Sequence, residues 1–134
     1  MSSLTITPKH NISFSQIETL LCSAFEGGSN YWYQIDGYHK PDNFDNSTEG
    51  NVSFMHISFP LNKNGFLLII VKDGVDEEQK GKEYTLNLAK IEQGLKIMSE
   101  KYPRHFNDIL DENDDAITAD VFLQSCLFGE VFYG

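Results

Sequence analysis

Six carboxylates, Asp108, Asp111, Glu112, Asp114, Asp115 and Asp120, fall within thirteen residues that hold no Lys or Arg. Closely spaced carboxylates can bind a hard cation, share a proton as an acid–base pair, or meet a basic surface. The spacing Asp111-x-Asn113-x-Asp115 imitates the first half of a calcium loop. Ala116 stands where that loop needs glycine and Phe122 where it needs a bidentate Glu, so no specific calcium site is expected. Asp114, Asp115 and Asp120 lie near an expected helix N-terminus, where negative charge suits the dipole. The four histidines, His10, His39, His56 and His105, are scattered and make no zinc-ligand spacing. Cys22 and Cys126 each fall on an apolar helical face, which suits inert free thiols in a reducing compartment. No nucleophile elbow, phosphate loop or dinucleotide fingerprint occurs, and Glu26 with Asp36 is a carboxylate pair of the kind any acidic chain offers. The expectation is a protein without catalytic residues, metal or cofactor.

A second candidate is "FEGGSNYWYQI", residues 25–35, in which Glu26, Asn30, Tyr31, Trp32 and Tyr33 surround two glycines. Aromatic rings in such a block either cover a core or stack on a base or nucleotide. On a strand Tyr31, Tyr33 and Ile35 share one face and Trp32 and Gln34 the other, so one face can serve each purpose.

Twenty acidic against 10 basic residues give a formal net charge of −10. That balance disfavours direct nucleic-acid binding, which needs clustered Lys and Arg, and favours a basic partner. A targeting segment is not evident at the start, and the longest apolar run, Phe66–Val71, is too short to cross a bilayer. A cytoplasmic protein without membrane contact is expected, so the sequons at Asn46 and Asn51 carry no weight.

The elements that must position these residues read as one α+β domain over 1–134. A small antiparallel sheet, with a hairpin of 52–59 and 66–71 plus strands near 30–35 and at the termini, packs against three to four helices. Ile17, Leu20, Leu21 and Ala24 share a helical face. Ser13 with Gln16, or Ser15 with Glu18, opens that helix as a capping box, and Ile12 staples onto Ile17. Gly27–Gly28 is expected to stop it in a left-handed cap. A second helix from about Asn87 buries Leu88, Ile91, Leu95, Met98 and Tyr102. Gly94 in its middle costs about 1 kcal/mol against Ala, which implies close packing of that turn on a neighbour. Pro103 ends this helix or starts the next, Thr118 caps the last helix, Gly129 closes it, and "EVFYG" returns as a strand. Residues 36–51 and 73–83 read as loops.

Two blocks, "LLCSAFEGGSNYWY" and "KYPRHFNDILDENDDAITADVFLQSCLFGEVFYG", resemble a family of small acidic proteins encoded by tailed phages and prophages. The matched positions are Glu26, Gly27, Gly28, Asn30, Tyr31, Trp32, Asp114, Asp115, Thr118, Asp120, Gln124, Gly129, Glu130 and Tyr133. The likeness covers about half the chain. It implies a phage accessory protein, as a class similar to anti-CRISPR and anti-restriction inhibitors of host defence. The expected partner is a host protein or complex with a basic surface, met by Asp111, Glu112, Asp114, Asp115 and Asp120, and a dimer is allowed. The alternatives are a nucleotide sponge built on Tyr31–Tyr33, or a factor in phage replication or assembly. The two blocks are expected to pack together.

Overall fold

The computed structural model describes residues 3–7, 10–41 and 58–134. Helices and two small antiparallel sheets make an α+β fold, as expected, and the chain divides into two compact units. One unit joins Met1–Asn30 to Ala89–Gly134, and the other is Tyr31–Leu88.

The first unit begins with an antiparallel pair, β1 (Ser3–Thr7) and β2 (His10–Ser13), in which Leu4 faces Ile12. Ser13 then caps α1 (Phe14–Ser23). Of the two capping boxes the sequence offers, Ser13/Gln16 is the one used: the Gln16 N–H donates to Ser13 Oγ at 3.1 Å, and the Ser13 N–H to Gln16 Oε1 at 3.2 Å. Ile12, Ile17, Leu20 and Leu21 are buried, in line with the staple and the apolar stripe. The exit of this helix differs from the expectation. No left-handed glycine ends it; the helix widens into a π turn over Ala24–Gly28, closed by the Ser29 N–H on the Ala24 carbonyl at 2.8 Å. The glycine is needed for room: a Cβ on Gly28 would run into the backbone carbonyl of Ala116.

Three helices complete this unit: α2 (Leu88–Lys101), α3 (Pro103–Leu110) and α4 (Ala116–Phe128). Pro103 opens α3 at its first turn, where the missing N–H costs nothing. Tyr102 is therefore the N-cap residue of α3, not the end of the α2 stripe. Every residue from Thr118 to Leu127 is buried, so α4 is the centre of the unit, with α1, the π turn and α3 packed on it. Gly94 of α2 meets α4 at Cys126, the close contact its mid-helix position implied. Two corrections concern the ends of α4. Asp115, not Thr118, is the N-cap, and the Thr118 N–H donates to Asp115 Oδ1 at 2.9 Å. Beyond Gly129, which takes the expected left-handed cap at φ 79°, residues 131–134 form no strand.

The second unit holds a sheet of order β3–β4–β5, antiparallel throughout, from Tyr33–His39, Phe66–Val71 and Glu83–Leu86. The apolar strand β4 is central as expected. Leu67, Ile69 and Val71 are buried, whereas Phe66, Leu68 and Ile70 are half-buried, so one face is sealed rather than both. The expected 52–59/66–71 hairpin is not what pairs β4, whose neighbours are β3 and β5. Residues 52–57 lie outside the described residues, and Phe59 sits in a 3-10 turn, Phe59–Leu61, where Pro60 suits a helical first turn. Strand β3 runs past its expected end because Asp36–Gly37 make a bulge instead of a turn. Strand β5 was not expected: the loop was read to 83 and nothing was assigned over 84–86, although "EYTL" has strand composition.

Candidate functional site

The acidic segment is built by the turn between α3 and α4. Asp111 caps α3, and the next two residues close a Schellman motif: Glu112 N–H on the Ile109 carbonyl at 3.1 Å and Asn113 N–H on the Asp108 carbonyl at 2.7 Å. Glu112 takes the position that glycine favours, at φ 54°. Asp111, Glu112, Asn113 and Asp115 are exposed and Asp114 is half-buried.

The carboxylates of the run have separate tasks. Asp115 holds the N-terminus of α4, and the Thr118 backbone N–H is the main reason its carboxyl lies below the usual range, with the Thr118 hydroxyl, the Ile117 N–H and His105 adding to it against partial desolvation. His105 Nδ1 meets the Thr118 hydroxyl at 3.1 Å on the other side. Asp120 faces inward at 8% exposure, which corrects its place among partner-binding residues. The Ser29 hydroxyl donates to its Oδ1 at 2.7 Å and Gln124 Nε2 donates to the same oxygen at 3.1 Å. The exposed carboxylates are thus Asp111, Glu112 and Asp115, the last engaged in the cap, while Asp108 and Asp114 are half-buried. From residue 105 to 134 the chain carries no Lys or Arg to offset them.

The second candidate divides at the boundary between the units. Glu26 is exposed on the π turn and accepts from the Cys22 thiol. Burial first, and then Glu26, push that thiol up from its ordinary value. Cys22 is half-buried instead of core, while Cys126 is fully buried and its thiol is pushed well up by desolvation. Asn30 is exposed and Tyr31 is 42% exposed. Trp32 has no exposed surface, with the Tyr33 ring edge-on at 6.1 Å. Trp32 therefore offers no face to a ligand, and Tyr31 with Trp32 lies in the turn before β3, outside the strand register expected of them.

Within the first unit the two terminal blocks meet around Asp120. The π turn of Glu26–Gly28 sits on the first turn of α4 through Gly28 and Ala116, and Ser29 reaches Asp120. Gln124, one turn on, ties Asp120 to the segment after the helix: its Oε1 accepts from Phe132 and Tyr133 N–H groups at 2.8 and 2.9 Å, and its Nε2 donates to the Tyr133 carbonyl at 3.0 Å. Ser29 was not singled out from the sequence, Tyr102 was read only as part of the α2 stripe, and the roles of Asp120 and Gln124 were not read there. The one available signal was the Asp120/Gln124 spacing of four, which puts both on one helix face.

Among the described residues no group of three or more His, Cys, Asp or Glu side chains is arranged to hold a metal ion. No helix among them is long and apolar enough to cross a membrane. Comparison of the chain with protein-family models, with curated proteins and with solved structures finds no match.

Proposed function

We propose that this chain is a non-enzymatic accessory protein of phage type, working in the host cytoplasm, that inhibits a host nucleic-acid-handling or defence complex. Its carboxylates stand in for nucleic-acid phosphates on a basic surface of that complex. The observation that carries this reading is the turn of exposed Asp111 and Glu112 and half-buried Asp114, fixed between two helices in a stretch without Lys or Arg. Fixed like charges aimed outward steer a basic partner and lose little freedom when they meet it. The resemblance to small acidic phage proteins supports the same reading.

The test compares the wild-type chain with a variant carrying Asp111→Asn, Glu112→Gln, Asp114→Asn and Asp115→Asn. Asparagine caps helices about as well as aspartate, so α4 keeps its N-terminus. Both proteins, immobilised, are exposed to bacterial lysate, and bound proteins are eluted with salt and with a duplex DNA oligonucleotide. The reading expects wild type to retain a nucleic-acid-binding protein that DNA displaces, with association falling steeply as salt shortens the screening length to about 8 Å. A folded quadruple variant that captures the same protein equally well, or a captured protein that DNA does not displace, overturns it. In the nucleotide-sponge reading, the only ring of the block with a substantially exposed face is Tyr31, so Tyr31→Ala would remove a nucleotide-induced thermal shift that the charge variant leaves intact.

A further inference from the structure

The Gln124 amide spends its whole hydrogen-bonding capacity, and three of its four bonds go to main-chain groups of Phe132 and Tyr133. A primary amide that accepts from two N–H groups and donates to a carbonyl reads backbone, and backbone groups are common to every peptide. Tyr102 extends the pattern by one residue, its phenol oxygen accepting the Val131 N–H at 3.0 Å. Side-chain selection is confined to one place, where the Phe132 ring stacks on Phe128 at 4.8 Å and the Tyr133 ring stands edge-on to Phe128 at 5.9 Å.

Gln124 is set by a contact that does not involve the segment it holds, and Tyr102 and Phe128 are carried at helix ends. The fourth bond of Gln124 runs to buried Asp120, which Ser29 fixes from the π turn at 2.7 Å. Tyr102 is the N-cap residue of α3, and Phe128 ends α4. By contrast the held segment has no regular structure, leaves the helix through left-handed Gly129, and keeps Phe132 47% exposed. A receptor carried on helices and a loosely covered occupant are what a peptide site filled in cis looks like.

We propose that Tyr102, Gln124 and Phe128 form a docking site for an extended peptide carrying an aromatic residue. In this chain Val131–Tyr133 occupy it, and a like segment offered in trans replaces them. This proposal is independent of the acidic turn.

The probe is a fluorescently labelled peptide of residues 130–134, Glu-Val-Phe-Tyr-Gly, titrated into the full chain and followed by anisotropy. A full-length variant with Phe132→Gly and Tyr133→Gly, whose own segment docks poorly, should bind it about tenfold more tightly than wild type, because the competitor in cis is weakened. Adding Gln124→Leu should lower that affinity about tenfold by removing the main-chain contacts. Peptide binding that is absent from the double-glycine variant, or equal in all three proteins, overturns the proposal. Hydrogen exchange on the unaltered chain decides the matter should the Gln124→Leu protein fail to fold. The Phe132 and Tyr133 amides should exchange by local opening, insensitive to low denaturant. Exchange of those two amides only through global unfolding would make the segment a fixed part of the core and refute the site.

Discussion

The same substitution at two helical glycines should change stability in opposite directions. Replacing a helical glycine by alanine gains about 1 kcal/mol of propensity when nothing else changes. At Gly94 something else must change. A Cβ there would lie 2.5 Å from Cys126 Sγ, 2.7 Å from Cys126 Cα and 2.8 Å from its backbone nitrogen. Carbon atoms in contact prefer about 3.5–4.0 Å, so α2 and α4 must separate by roughly 1 Å at their crossing. A side chain can rotate away, but two of the three atoms are backbone of a helix buried on all sides. Overpacking of this kind costs about 1–3 kcal/mol, and with two backbone contacts the upper end applies; after the propensity gain Gly94→Ala should destabilise by about 2 kcal/mol. Gly27 has nothing within 4 Å of its Cβ position and is not left-handed, so Gly27→Ala should be neutral or stabilise by about 0.5 kcal/mol. Urea unfolding followed by far-ultraviolet circular dichroism reads both from the midpoint at constant slope. Adding Cys126→Ala removes only the sulfur contact and should rescue Gly94→Ala incompletely. A Gly94→Ala protein as stable as wild type would show that α2 and α4 do not cross where the glycine lies.

Two further predictions concern the acidic turn. Glu112→Gly should stabilise the chain by about 1 kcal/mol, since φ 54° strains any residue with a Cβ; a thermal midpoint that falls would contradict the Schellman assignment. Asp115→Ala should cost about 1 kcal/mol through loss of the cap, and Asp115→Asn much less. Because the folded-state pKa of Asp115 is depressed, its ionic contribution is complete above the ordinary value of 3.8 and is lost as pH falls through the lower folded value. The stability gap between wild type and Asp115→Asn should therefore narrow only below that pH, and a gap that instead narrows between pH 5 and 7 would point to another group.

Much of the helical unit was legible because its signals are local. Ser13 and Gln16 are three residues apart, Gly129 directly follows the apolar run it caps, and Gly94 interrupts a stripe that otherwise favours helix. The sheet was less legible because its pairing is not local. Strand β4 reads as a strand anywhere, but nothing in Phe66–Val71 states whether Tyr33–His39 or a nearer segment lies beside it. The preference for short connections favours the nearer segment, while the observed pairing spans from His39 to Phe66. Asp36–Gly37 misled for a related reason: the dipeptide suits a turn and a bulge equally, and the partner strand decides between them.

The acidic run was legible in part. Asp114, Asp115 and Asp120 read both as charges near a helix N-terminus and as part of a partner-facing set, yet each is placed by its own backbone geometry. Asp115 precedes the helix and caps it. Asp120, one turn later on a helix buried on every side, faces inward, where Ser29 and Gln124 supply the donors that a buried carboxylate requires. Asp111, Glu112 and Asp115 are the carboxylates of the run that stay exposed, and Asp114 is half-buried. Neutral substitution at Asp120 should leave the turn of Asp111, Glu112 and Asp114 in place while loosening the 129–134 segment.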